Sequence, residues 1–249
     1  MKQNQILKKF KNDGFVIIKN FLKKEIISDI LSEIPLIKSK VIKKPKKFSH
    51  KTKTGKFNSI HNINSFYKSG KIIDLSKNKS LLSLAKLILN DKPELRNVEF
   101  FLKPKKNKMK TPFHQDNFFW NLKDANGINI WIACSKANKE NGGICYLKKS
   151  HLLGVLNHKL SFIKGTSQMI PKEVIKNLKF EKIYPRVYPG DLIIHSSQII
   201  HGSDENKSNY DRVGMVFGYK GKKSKYDKTK LKQYKSLVKK NIEKIYKQA

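Results

Sequence analysis

Arginine is almost absent from this chain. Only Arg96, Arg186 and Arg212 stand among 54 basic residues, against 19 acidic ones, and the formal net charge over 249 residues is +35. Proteins that read bases draw on Arg for bidentate contacts and stacking, which Lys does not match. The lysines are spread evenly beside abundant Ile and Asn, a composition that reads as drift of a whole proteome. Such a surface attracts polyanions non-specifically at low salt, and specific nucleic-acid recognition is not expected from it.

Cysteine is scarce too. Cys134 and Cys145 form no C-x-x-C pair, which excludes a disulfide framework and suggests buried small hydrophobes in a reducing cytoplasm. No apolar run is long enough to span a bilayer, so no membrane partner is expected. The opening "MKQNQILKKFKNDGF" lacks the apolar stretch and small-residue cleavage site of a signal peptide, and a cytoplasmic location is expected. No internal repeat or low-complexity linker divides the chain. One domain over residues 1–249 is therefore the expected organisation, ample for a buried core.

What is present falls into three parts. Residues 1–95 read as mostly helical. A short helix ends at the turn Asn12-Asp13-Gly14, a strand runs from Phe15 to Ile18, and "FLKKEIISDILSEI" spaces Leu22, Ile26, Ile30 and Ile34 for an amphipathic helix. Residues 35–70 are Lys-rich and weakly periodic, read as loops, short strands or a flap. "KSLLSLAKLILND" is a clear helix stopped before Pro93. From about residue 96 to 220, short alternating runs such as "NVEFFLK", "GINIWIACS" and "RVGMVFGYK" are separated by turn signals, which implies an antiparallel sandwich or barrel. The third part, about 228–247, is a helix with Leu231, Tyr234, Leu237, Val238, Ile242 and Ile245 on one stripe, able to cover a sheet.

The chemistry centres on "TPFHQDNFFW", where His114 and Asp116 stand two apart. A lone H-x-D is a weak signal, and an exposed turn pair is its bland explanation. His151, His158, His195 and His201 are available to complete a site. His195 alternates with apolar neighbours and reads as a core or supporting histidine, and His151 after Ser150 reads as capping a turn. His201 stands out, because it ends a strand begun at "YPGD" and faces Arg212 across an expected hairpin centred near Asn206-Lys207. Arg is almost never buried without an anion. Two His and one Asp on one face of an octahedron leave three positions open, the arrangement of non-haem Fe(II) oxygenases. The far carboxylate of a chelating 2-oxo acid then calls for a planar, two-pronged cation.

These stretches resemble the phytanoyl-CoA dioxygenase family of Fe(II)/2-oxoglutarate oxygenases, over most of the chain. "NDGFVIIKNFLKKEIISDI" resembles the family's opening strand and helix, and "FLKPKKNKMKTPFHQDNFFW" its Lys-Pro strand leading into H-x-D. "INIWIACSKANKENGGICYLKKSHLLG" is similar to its tryptophan strand, Asn-Gly hairpin and Ser-His. "YPGDLIIHSSQIIHGSDENKSNYDR" is similar to its Gly-Asp strand, distal histidine and terminal arginine.

The resemblance implies a mainly β fold with flanking helices around a double-stranded β-helix (jelly-roll, cupin-like) core. It also implies Fe(II), 2-oxoglutarate as cosubstrate, O2, and a small-molecule substrate that is hydroxylated with release of succinate and CO2. By the same resemblance, His114, Asp116 and His201 match the catalytic iron ligands, and Arg212 the grip on the far carboxylate. Ser203 matches its hydroxyl helper, Trp131 the indole along the cosubstrate, and Thr111 a hydrogen-bonding position. Asn117 follows the ligand Asp116 at a place near substrate, and His158 is a candidate for the pocket mouth. Phe118, Phe119 and Trp120 read first as core, but strand alternation turns one or two of them inward, with Phe119 the substrate candidate. Cys134-Ser135 and Lys148-Lys149 depart from the family's Leu-Asp and Pro-Gly. Lys103 reads as one more solvated lysine. Two rivals are an oxidative nucleic-acid demethylase, which would carry a second Arg where Gly218 stands, and a non-catalytic metal-binding relative.

Overall fold

In the computed structural model, which describes residues 2–163 and 166–247, α1 (Gln3–Asp13) stops at Gly14. That residue's φ of +83° is one only glycine takes at low cost, and β1 (Phe15–Ile18) begins at once. The next helix is shorter than its apolar spacing suggests. It runs as α2 (Lys24–Ser32), and α3 (Ile34–Ile42) restarts with Pro35 in its first turn, where a missing N–H costs nothing. Residues 35–70 are thus more ordered than their composition implies. After α3, β2 (Ser49–Lys51) and β3 (Phe57–Ile60) form a hairpin that extends a sheet edge and is no free flap. Then come α4 (Ile63–Phe66), α5 (Lys71–Leu75) and α6 (Lys79–Leu89). The side chain of Asn78 caps α6, accepting from the N–H groups of Ser80 and Leu81 at 2.9 and 3.3 Å.

Two antiparallel sheets follow. The larger has the order β1-β11-β6-β13-β4-β3-β2, with β4 at Pro93–Lys103, β6 at Gly127–Ala133, β11 at Leu192–Ser196 and β13 at Arg212–Gly221. The smaller has the order β10-β7-β12-β5, with β5 at Thr111–His114, β7 at Ile144–Leu147, β10 at Lys182–Ile183 and β12 at His201–Ser203. Period-two alternation splits the larger sheet's side chains. Val98, Phe100, Leu102, Ile130, Ile132 and Phe217 bury one face against the helices. Trp131, Ile193 and Val216 on the other face look toward the smaller sheet. This is the jelly roll with helices on one side.

Three shorter elements close the assembly: a separate hairpin of β8 (Lys159–Ile163) and β9 (Thr166–Met169), α8 (Lys172–Asn177), and α9 (Lys228–Lys247). The expected covering helix is α9. It lies on the β8–β9 hairpin and on α7 (Asp116–Trp120), while the side chains of Ile242 and Ile245 fall outside the described residues.

The His201–Arg212 hairpin does not exist. β11 stops at Ser196, the chain turns where the Ile199 N–H donates to the Ser196 carbonyl at 3.1 Å, and His201 starts β12 in the smaller sheet. Arg212 opens β13 in the larger sheet, opposite Lys103. The apolar alternation of "LIIHSSQIIH" hid a turn at its two serines: the Ser196 hydroxyl accepts from the Gln198 N–H at 3.2 Å, and that of Ser197 donates to the distant Ala125 carbonyl at 2.9 Å. The two residues meet across the sandwich instead, as walls of one cavity.

Candidate active site

His114 closes β5, Asp116 opens α7, and His201 opens β12 directly opposite His114 in the ladder, with ring centroids 4.3 Å apart. One nitrogen from each ring and one Asp116 oxygen all lie within 4.8 Å of one another. The rings' other nitrogens fix the proton positions. Nδ1 of His114 donates to the Pro112 carbonyl at 2.9 Å, and Nδ1 of His201 to the Ile199 carbonyl at 3.1 Å. Both Nε2 atoms therefore present lone pairs to the Asp116 carboxylate, at 3.6 and 3.7 Å, with no proton between. Lone pairs converging on a carboxylate repel unless a cation sits among them, so these residues fit a divalent metal.

The electrostatics agree with that reading. Burial pushes the His201 imidazole down to about 3, which keeps it neutral. Burial by itself would raise the Asp116 carboxyl, but the rings of His201, His114 and His195 around it hold it well below the usual carboxylate range. The carboxylate is aimed by two further donors. Asn129 Nδ2 gives it a 2.7 Å bond, and His195 Nε2 approaches at 3.3 Å while its Nδ1 accepts from the Tyr146 hydroxyl at 2.9 Å. His195 thus supports the triad from behind, and His151 Nε2 meets the Lys11 carbonyl at 3.0 Å, far from it.

At the other end of the same cavity, about 720 Å³ in volume, Arg212 is 3% exposed. Its Nη2 donates to the Gly142 carbonyl at 2.8 Å, its Nε has no partner, and its guanidinium lies 5.9 Å from the Trp131 ring. Burial lowers it to about 10, so it stays charged at neutral pH. Lys103, opposite Arg212 in the ladder, is also 3% exposed, which corrects its reading as a solvated lysine. Its Nζ donates to Ser203 Oγ at 2.8 Å and to the Asp204 carbonyl. Burial and then the neighbouring Arg212 hold it well below the usual lysine range. No carboxylate reaches either cation within 4 Å among the described residues; the Asp204 side chain accepts from Tyr184 instead. Two buried cations with only neutral oxygen partners and an orphaned N–H fit a carboxylate ligand. Thr111, in register with Ser203, and Trp131 flank this end.

The expected substrate residues divide. Phe119 lines the cavity and meets the His114 ring at 5.5 Å, though from the short helix α7 and not from a strand. Asn117 turns away, its amide bonding both backbone groups of Leu122 at 3.0 and 3.2 Å. His158 stacks on Phe118 at 4.0 Å behind the cavity, and its Nε2 accepts the Gln115 N–H at 3.1 Å. Sequence reasoning passed over Gln115, whose side chain ties the carbonyls of Gly154 and Gln198 and the N–H of Leu156 beneath the triad. It weighed Lys103 as steering an anion but favoured a solvated lysine, although alternation along "EFFLK" sets Lys103 on the same face as Glu99 and Phe101. Tyr234 and Val238 of α9, His50 and His61 reach the cavity from distant segments, and no local pattern marks them.

Comparison with known proteins extends this geometry. No curated protein matches the chain at significant similarity. Solved structures do. The α-ketoglutarate dependent carbocyclase SnoK from nogalamycin biosynthesis is 15% identical, with 89% of this chain and 85% of that one aligned at a TM-score of 0.73. EctD from S. alaskensis, solved with 2-oxoglutarate and 5-hydroxyectoine, is 15% identical over 89% of this chain and 76% of its own, at a TM-score of 0.72. The epimerase SnoN, also from nogalamycin biosynthesis, is 16% identical over 90% and 82%, at 0.70. At these identities the likeness is one of fold. The sequence model of phytanoyl-CoA dioxygenase (PhyH) matches residues 10–214, a span that holds His114, Asp116, His201, Ser203 and Arg212, and the chain belongs to the phytanoyl-CoA dioxygenase family.

Proposed function

We propose that the protein is an Fe(II)- and 2-oxoglutarate-dependent dioxygenase that hydroxylates a small-molecule metabolite, working as one unit over residues 1–249 in the cytoplasm. One observation carries the reading. A single cavity has an uncompensated cluster of lone pairs and carboxylate at one end and two buried cations without an anion at the other. A divalent metal chelated by a dicarboxylic 2-oxo acid answers both needs at once. His114, Asp116 and His201 would hold Fe(II). Arg212, Ser203 and Lys103 would hold the far carboxylate, with Trp131 and Thr111 alongside.

Bound together, iron and 2-oxoglutarate supply an oxidant from O2, with release of succinate and CO2. The chain's own residues set the conditions. Asn129 and His195 hold the Asp116 carboxylate in one orientation, and the carbonyls of Pro112 and Ile199 keep both Nε2 lone pairs available. Phe119 packs edge-on to the His114 ring and Tyr234 to Phe119, which sets apolar surface beside the triad. Asp116 keeps a third protein ligand where halogenating relatives leave room for chloride, which favours hydroxylation. A nucleic-acid demethylase is disfavoured, because the space beside Gly218 is filled: a Cβ there would lie 2.3 Å from Asn97 Oδ1 and 3.0 Å from Asn129 Oδ1. The test is succinate formation from 2-oxoglutarate with Fe(II) across metabolite pools, followed by mass spectrometry. A product heavier by one oxygen supports hydroxylation, loss of two hydrogens points to desaturation, and unchanged mass to epimerisation. Absence of succinate under all conditions points to the non-catalytic relative.

A further inference from the structure

The third arginine lies in the same cavity and has no task in the site described so far. On β4, Asn97, Glu99, Phe101 and Lys103 face the cavity while Val98, Phe100 and Leu102 face the core, so alternation alone would send residue 96 into the core. It does not go there. Gly218 pairs with Asn97 and Tyr219 with Leu95, leaving Arg96 as the extra residue of a β-bulge that turns its side chain into the cavity. Its guanidinium lies 4.7 Å from the Trp120 ring, and Nη1 donates to Asn97 Oδ1 at 3.2 Å. That leaves the other N–H donors of the fork without a protein acceptor among the described residues. No carboxylate lies within 4 Å of it among those residues; Glu99, three positions along, gives its carboxylate to His61 Nδ1 at 3.2 Å. Arg96 is half-buried, and burial lowers its guanidinium against the raising effect of Tyr226, Glu99 and Asp116 nearby.

The missing anion is not the cosubstrate. Lys103 stands seven residues along β4 from Arg96, about 23 Å of strand, with Arg212 opposite it on β13, beyond the reach of one 2-oxoglutarate bound at the Arg212 end. Arg96 instead adjoins the metal end. Its neighbour Asn97 and Asn129 both point their amide oxygens at the side-chain gap of Gly218, and Asn129 holds Asp116. Beside it, Phe119, Tyr234 and Val238 offer an apolar wall, with Phe119 and Tyr234 rings 5.8 Å apart, while Lys46, Lys47 and Lys110 also line the cavity. A planar guanidinium backed by an indole suits an oxyacid group, and it stands here as one of three arginines in a chain otherwise supplied with lysine.

We infer that the substrate is an organic acid, a carboxylate or a phosphate ester, whose anionic group pairs with Arg96 while its apolar body lies along Phe119 and Tyr234. The inference rests on the oxygenase reading for the word substrate, but its test is a binding test. Protein loaded with Fe(II) and 2-oxoglutarate under anaerobic conditions would be titrated by calorimetry with phenylacetate beside phenylacetamide, octanoate beside octanamide, and phenyl phosphate beside phenol. The expected result is that the wild type prefers the acid of at least one pair by about tenfold to a hundredfold, the value of one charge-assisted pair. Arg96→Gln should erase that preference and Arg96→Lys should keep part of it, while 2-oxoglutarate affinity, read from the visible band, holds in both. A phosphate preference and a carboxylate preference separate the two kinds of acid. Equal binding of acid and neutral partner, no binding at millimolar concentration, or a preference that survives Arg96→Gln overturns the inference. So does a loss of 2-oxoglutarate affinity in Arg96→Lys, which would assign Arg96 to the cosubstrate. Absence of succinate formation beside an intact acid preference would overturn the oxygenase reading and leave the anion site standing.

Discussion

At one end of the cavity His114, Asp116 and His201 already touch, each aimed by a hydrogen bond from behind. At the other, Arg212 and Lys103 share a strand pair with no carboxylate within reach among the described residues. The first end is a set of donors preorganised for a cation and held by neutral partners. The second is a pair of cations whose burial the chain itself does not offset. A protein gains nothing from burying two like charges side by side unless an anion joins them. The contrast teaches that both ends should be relieved by binding, the metal end by a cation that its hydrogen-bonded donors already aim at and the cationic end by an anion.

The largest effect is expected at the metal end. Asp116→Ala and His201→Ala should each abolish 2-oxoglutarate turnover and metal retention while the thermal transition persists, because the jelly roll is held by its apolar core. Succinate assay, metal analysis and a melting curve check this together, and near-normal turnover in either variant would end the assignment. At the cationic end, Arg212→Lys keeps the charge and loses the fork. The dissociation constant for 2-oxoglutarate should rise by roughly tenfold to a hundredfold, with metal affinity unmoved. Lys103→Met keeps the volume and removes the ammonium that faces Ser203. A smaller rise, about fivefold to tenfold, is expected in the same titration, with the variant no less stable than the wild type in urea. A rise in Lys103→Met beside none in Arg212→Lys would show that charge and not geometry governs this end.

The smallest effect separates the support layer from both ends. Burial takes His158 down to about 4, so it is neutral when it accepts the Gln115 N–H. A histidine lowered on folding contributes stability that is complete above its unfolded value of 6.5 and is lost as pH falls toward 4. His158→Gln should therefore flatten part of the drop in urea midpoint between about pH 7 and about pH 5. An identical slope in wild type and variant would remove His158 from this role.

Legibility followed sequence distance. His114 and Asp116 are two residues apart, and the Gly14 turn and the α6 helix are local, so each could be read from a short window. Arg212 does share a cavity with His201, but not through the expected hairpin, since the serine turn after β11 moves His201 into the other sheet. Lys103 was lost among lysines because charge alone cannot distinguish a buried ammonium from a solvated one. Arg96 depends on a bulge, and Tyr234 on how the last helix docks, neither of which leaves a periodic mark. Asn117 shows the opposite failure: beside a site residue in sequence, it closes a turn and faces away.

The most direct test of the central claim is an anaerobic titration of the purified protein with Fe(II) and then 2-oxoglutarate, following visible absorption. The account predicts a metal-to-ligand band that saturates with 2-oxoglutarate in the wild type, needs a higher concentration in Arg212→Lys, and is missing in His201→Ala. A wild-type protein that binds Fe(II) without developing the band, or a band that persists in His201→Ala, would contradict it.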